Sequence, residues 1–141
     1  ATAKHIKEIA DVELKSGYPH PKNFNAIENS ALIIRNSDIF VAKYKNKIVG
    51  YISLNKKKNN GEIEFLAVSK KFQDKGIGFK LIGYIIKYAR KNKCKKLTLS
   101  VRSLNLKAIK LYKKFGFIVT RRTTKTIGKN KINKVHMSLK M

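Results

Sequence analysis

At 141 residues, 43% of them hydrophobic, the chain is long enough to bury a core without metals or crosslinks, and no run of about 18 apolar residues exists to span a membrane. Thirty-three Lys and Arg against eight Asp and Glu give a net charge of +25, well beyond the magnitude of about 2–8 that suits a small domain. Such a field attracts polyanions, although a surplus built nearly all from Lys, in a chain crowded with Ile and Asn, also reads as a compositional lean carried on a solvated surface.

The single cysteine, Cys94, excludes an internal disulfide and, with no secretory signal visible, predicts a cytoplasmic protein. The histidines at 5, 20 and 136 are scattered, with no metal-ligand spacing, so no metal is expected.

The first segment, KHIKEIADVELKS, sets Ile6, Ile9, Ala10 and Leu14 at helical spacing, which predicts an amphipathic helix closing at Gly17. The loop GYPHPKNF breaks it with two prolines. A second helix is expected from about Asn25 to Asn36. DIFVAKYK and KIVGYISLN then alternate apolar and polar residues around Lys45-Asn46-Lys47, the pattern of a β-hairpin. KKKNNG is a solvated turn, and EIEFLAV a third strand. IGFKLIGYIIKYARKN is a helix, KKLTLSV a strand and LKAIKLYKKF a helix. GFIVTRR and KVHMSLK close the chain as two strands around Gly128-Lys129-Asn130. The order ααβββαβαββ predicts a single α/β domain over residues 1–141, with a mixed central β-sheet flanked by helices. Its strand–helix–strand unit should hold neighbouring parallel strands. The chain enters its first helix almost at once, so a leading strand is expected to lie outside the given residues or to be missing.

Between the third strand and its helix lies Gln73-Asp74-Lys75-Gly76-Ile77-Gly78. A helix N-terminus carries unpaired N–H groups and about half a positive charge, and it binds anions where the backbone is bare enough to approach. Gly76 and Gly78 supply that bareness, and Lys75 and Lys80 add charge. The spacing is not that of a Walker loop, nor of G-x-G-x-x-G, because Leu81 stands at the third glycine position. Ligands of open α/β sheets sit at the carboxyl ends of strands, where this turn lies.

Gln73-x-x-Gly76-x-Gly78 resembles the Q/R-x-x-G-x-G/A pyrophosphate loop of the GNAT acetyltransferase superfamily. About thirty residues on, VRSLNLKAIKLYKKFGF resembles that superfamily's second signature: an Asn, then Ala-Ile, Leu-Tyr and Gly-Phe. Together the motifs cover residues 62–118 in the family's order. The resemblance implies acetyl-CoA as co-substrate and transfer of its acetyl group to a primary amine on a protein N-terminus, a lysine or an acidic small molecule. It places the pantetheine arm against Leu66, Ala67 and Val68 and the pyrophosphate on the amides from Gln73 through Gly78. Asn105 would hydrogen-bond the cofactor arm, and Val68 N–H would polarise the carbonyl oxygen. Phe79 stands where relatives often have a small residue, so its ring is expected to turn into the helix packing.

By the same resemblance Tyr112 is the acid that protonates the leaving thiolate; its plain alternative is core packing beside Leu111 and Phe115. Relatives that acetylate protein N-termini often carry a Glu where this chain has Ser100. Another branch of the family takes its base from a Glu at the start of the cofactor strand, which the resemblance sets at Glu62, with Glu64 on the same face unless a bulge intervenes; the plain alternatives are that both only pair with surplus lysines and that an already neutral amine needs no base. Substrate choice would fall to the first two helices, their loop and the closing hairpin. That hairpin has no tyrosine from 120 to 135, and its bases suit an acidic acceptor better than a polyamine. Two other classes stay open: a basic nucleic-acid-binding module, with nucleic acid or ribosome contact expected from charge alone, and an acyl-CoA sensor without catalysis. The former needs aromatics interleaved with bases on an exposed face, whereas Tyr51, Tyr84, Tyr88 and Tyr112 sit in apolar-periodic segments that read as core or site. No membrane partner is expected, and the state is monomer or homodimer.

Overall fold

The computed structural model describes residues 37–45 and 47–141. The two leading helices, the GYPHPKNF loop and Asn46 of the first hairpin lie outside the described residues. In chain order the described elements are β1 (Asp38–Tyr44), β2 (Lys47–Lys57) and β3 (Asn60–Val68), then a single 3₁₀ turn (Lys70–Phe72) and α1 (Ile77–Lys91). β4 (Lys96–Arg102), α2 (Leu106–Lys114), β5 (Ile118–Ile127) and β6 (Asn130–Lys140) complete the chain. Among the described residues the strands form one six-stranded sheet in the order β1-β2-β3-β4-β6-β5. Every neighbouring pair is antiparallel except β3 and β4, joined in parallel through α1 as the crossover rule requires. The expected mixed sheet with flanking helices is the observed fold.

α1 forms because Leu81, Ile82, Ile85, Ile86 and Ala89 make one apolar stripe, and the stripe is buried against the sheet. It stops at a left-handed residue, Lys93 (φ 61°). Cys94 N–H returns to Ala89 O at 2.9 Å and Lys93 N–H to Arg90 O at 3.0 Å, the paired bonds of a Schellman cap. α2 ends in the same way on Gly116 (φ 97°), with Phe117 N–H bonded to Tyr112 O at 3.2 Å. The Phe117 and Tyr112 rings meet edge-on at 5.4 Å, the apolar contact that accompanies such a cap. The Tyr…Gly-Phe part of the second motif is thus also a helix terminator.

Two features depart from the strand periodicity. Ser53 pairs with Phe65 and Leu54 with Ile63, which leaves Glu64 as the extra residue of a β-bulge. Buried Ser53 Oγ accepts the Phe65 N–H at 3.1 Å and satisfies the disturbed ladder. Before the bulge Ile63 faces the helices; after it Leu66 and Val68 do, while Phe65 and Ala67 turn to the opposite face. The carboxylate of Glu64 accepts from Ser37 Oγ. The closing hairpin is also longer than its apolar residues suggest, because β5 and β6 pair as far as Ile127 and Asn130. Both faces of that outer ribbon are mostly exposed, so Thr, Lys and Asn replace the alternation that marks a half-buried strand.

The main core lies between the sheet and the two helices, with Ile52, Leu54, Ile63, Leu97, Val135 and Met137 meeting Ile82, Ile85 and Tyr112. A smaller cluster of Ile39, Ile48, Tyr51 and Ala67 lies on the other face. Of the tyrosines expected in core or site, Tyr84 is instead 54% exposed. Its ring leans on Phe40 of β1 at 5.1 Å, and Phe40 also meets Tyr88 at 4.7 Å. Tyr88 Oη donates to Asp38 Oδ2 at 2.9 Å, a bond that, ahead of burial, raises the pKa of the phenol.

Candidate functional site

β3 and β4 stay paired only from Asn60–Ile63 against Lys96–Leu99. Beyond that point β3 follows β2 to Val68, and β4 follows β6 to Arg102. The two strands part inside the sheet. At the parting, on the helix side, lies a cleft of ≈ 610 Å³. Its floor is Leu66 and Val68; one wall is the loop Gln73, Asp74, Gly76 with Ile77 and Gly78 of α1; the other is Asn105 and the exposed side of α2.

The loop is built to bring the start of α1 to that cleft. Gln73 Nε2 donates to Val68 O at 2.9 Å and ties the loop to the end of β3, while Gln73 N–H turns back to Lys70 O at 3.3 Å. Gly76 is the N-cap residue at φ 79°, ψ 7°, a left-handed conformation that costs an L side chain energy. Lys80 N–H is bonded to Gly76 O at 3.0 Å, so the N–H groups ahead of it are the ones a helix leaves unpaired within itself. No side chain caps them. Asp74 (φ 62°) reaches across the mouth, and Lys107 Nζ donates to its two carboxylate oxygens at 2.8 and 2.9 Å.

Eight of the twelve residues expected at the site line this cleft: Leu66, Val68, Gln73, Asp74, Gly76, Ile77, Gly78 and Asn105. Ala67 belongs to the opposite face, as strand alternation past the bulge demands. The Lys75 ammonium lies 5.7 Å from the centre of the Phe72 ring. Glu62 is exposed at its place opposite Thr98 of β4. Tyr112 is 4% exposed and packs in the main core. Asn105 Oδ1 accepts from Ala108 N at 3.2 Å and caps α2, so the Asn of the second motif has a structural duty at the cleft wall.

Phe79 does not turn into the packing. It is 50% exposed and lies at the cleft, its ring 4.6 Å from that of Phe115 across α1 and α2. Sequence reasoning passed over Lys107, Lys110 and Lys114, which line the cleft from α2. Their i, i+3, i+7 spacing puts them on one helix face, and that spacing was the available signal. Among the described residues no cluster of His, Cys, Asp and Glu is arranged to hold a metal, and no helix is long and apolar enough to cross a membrane.

Comparison with known proteins fits this geometry. The chain superposes on the ribosomal-protein-S18-alanine N-acetyltransferase of Escherichia coli with a TM-score of 0.86, covering 99% of this chain and 90% of that one at 18% identity. It superposes on yncA of Salmonella typhimurium, a putative acetyltransferase solved with acetyl-CoA, with a TM-score of 0.82, 99% and 90% coverage and 18% identity. At these identities the likeness is one of fold. A probable spermine N(1)-acetyltransferase of Bacillus subtilis subsp. natto is 41% identical over 51 residues, 36% of this chain and 34% of that protein. The curated relatives are matched over about a third of their length or less. The acetyltransferase (GNAT) family model matches residues 4–117, and with the parted strands and the glycine turn in place the chain belongs to that family.

Proposed function

We propose that residues 1–141 act as one N-acetyltransferase domain, moving an acetyl group from acetyl-CoA to a primary amine by direct attack. The observation that carries this is the cleft at the parting of β3 and β4, closed at one end by the uncapped start of α1. A diphosphate suits that end: bare amides, the positive end of the helix dipole and the α2 lysines all favour an anion there. The narrow floor of Leu66 and Val68 suits the amide-bearing arm, because the inner edge of β3 has lost its β4 partner. Acetyl-CoA supplies the activated thioester.

The residues then divide the work. Val68 N–H polarises the carbonyl oxygen, and the cleft aligns carbonyl and amine. Glu62 takes the proton of the incoming ammonium through a water. Tyr112 gives its phenolic proton to the departing thiolate, and the proton shed by the acylated nitrogen restores the phenol. Asn105 and Gln73 hold the two ends of the cleft while the arm is bound.

Calorimetric titration with acetyl-CoA, against 3′,5′-ADP as a control for plain charge attraction, tests the cleft. One-to-one binding near micromolar strength, about −8 kcal/mol, and tighter than the control is expected at about 0.15 M salt. Equal, weak, salt-sensitive binding of both compounds would sink the reading. Tyr112→Phe should keep that binding and lose turnover; full turnover would remove Tyr112 from the chemistry.

A further inference from the structure

On the face of the sheet opposite α1 and α2, the strands carry a second chemistry. β4 and β6 pair Ser100 with His136 and Arg102 with Lys134, and β5 sets Arg121 opposite His136. Alternation puts Ser100, Arg102, Lys134, His136 and Arg121 on this face, since Leu99, Val135 and Met137 are buried on the other. Thr123 Oγ1 lies 2.8 Å from His136 Nε2 and holds the ring. On β3, one residue before the strands part, Glu62 lies on the same face opposite Thr98.

We propose, building on the acetyltransferase reading, that the acceptor amine also carries an anionic group, carboxylate or phosphate, which is bound by Arg121, Lys134 and His136. The charges are ordered across the sheet for such a molecule. The carboxylate of Glu62 is on the strand that borders the parting, where an ammonium would arrive. The cations sit on the two strands beyond β4. Adjacent strands lie about 4.8 Å apart, so β6 and β5 stand roughly 10 and 14 Å across the sheet from β3.

The electrostatics agree. Burial first, then Arg121 and Lys134, hold the His136 imidazole below its ordinary pKa, and Glu62 pulls weakly the other way. The same surplus that keeps the ring neutral is relieved by an incoming anion, and Thr123 and Ser100 offer hydroxyls beside it. A polyamine would meet repulsion on this path.

The test uses the intact protein with acetyl-CoA and 6-aminohexanoate, 6-aminohexyl phosphate, 6-aminohexanamide or 1,6-diaminohexane, with release of the free thiol as the readout. The inference expects kcat/KM for at least one of the two anionic amines to exceed that for the amide and the diamine by about tenfold or more, and the preference to shrink as salt is raised. Preference for the carboxylate or the phosphate identifies the anion. The double variant Arg121→Gln, Lys134→Gln, checked by its melting curve, should bring the acid-to-amide ratio close to one. As a readout independent of turnover, the His136 ring resonance should titrate at higher pH when an anionic amine is added, and should not move with the diamine. Equal use of all four amines, preference for the diamine, or no thiol release from any of them while acetyl-CoA binds would overturn the inference. Failure to bind acetyl-CoA would instead overturn the reading beneath it.

Discussion

Gly76 and Gly78 stand two residues apart at the mouth of the cleft, and alanine at each should act in opposite directions on stability. At Gly76 a Cβ would meet nothing within 4 Å, so the penalty comes from the backbone alone, at φ 79°. A left-handed L residue costs about 1–2 kcal/mol, which for a domain of this size lowers Tm by about 3–8 °C. Gly78 lies inside the first turn of α1, without a positive φ, and its Cβ would touch only Leu111 Cδ2 at 3.4 Å. Gly→Ala in a helix gains roughly 0.5–1 kcal/mol, so Gly78→Ala should melt at or above the native temperature. The motif it resembles accepts Gly or Ala at this place, so acetyl-CoA affinity should stay near native in Gly78→Ala. A branched side chain in Gly78→Val would instead fill space at the cleft wall where a diphosphate must approach the helix amides, and affinity should fall about tenfold or more, some 1.4 kcal/mol. Calorimetry and thermal unfolding on the variants separate the two effects. Native affinity in Gly78→Val would refute the close approach, and an unchanged Tm in Gly76→Ala would refute the backbone reason for the glycine.

Tyr88→Phe removes the bond to Asp38 that ties β1 to α1. With its pKa raised in the fold, the phenol contributes stability that is fully present below pH about 10 and is lost as pH rises through the folded value. Urea unfolding at pH 7 should show a loss of roughly 0.5–1 kcal/mol, small because the bond is exposed. His136 has the opposite sign: its lowered pKa gives a contribution present above pH about 6.5 and lost as pH falls through the folded value. Tm measured from pH 7.5 down to 5 should therefore fall less steeply in His136→Gln. Gly61→Ala would set a Cβ 2.9 Å from both Leu54 Cδ1 and Leu97 Cδ2. Overpacking of this kind costs about 1–3 kcal/mol, and the loss should be smaller when measured in a Leu97→Ala background, where one of the two clashing methyls is gone.

The strands and helices with a single apolar face were legible in the sequence, because burial on one side imposes a period. α1 matched its expected start at Ile77 and ended one residue early, at Lys91. The outer half of the closing hairpin was not legible, since a ribbon exposed on both faces imposes no pattern on Thr123–Thr126. The bulge at Glu64 was legible only as a possibility: its determinant is Ser53, eleven residues away on another strand, whose hydroxyl accepts the displaced amide. At the site, the glycine turn was visible because a positive φ and a helix start each demand particular residues. Lys107, Lys110 and Lys114 were lost among 33 bases, where only the position of α2 against the parted strands distinguishes a lining lysine from a solvated one. Phe79 was misplaced for a related reason: its partner, Phe115, is on the other helix, 36 residues later.

The parting of β3 from β4 also creates a hazard that an ordinary closed ladder avoids. From Glu64 to Val68, β3 is in effect an edge strand in the middle of a sheet, with backbone groups aimed at a gap rather than a neighbour. Bare edges recruit other strands, and the usual defences are twist, charge and cover. All three are present: the bulge at Glu64 twists the exposed stretch, α2 stands over the gap, and its lysines ring the opening. Guarding the gap against foreign strands therefore falls to the same residues that would admit a slender anionic ligand.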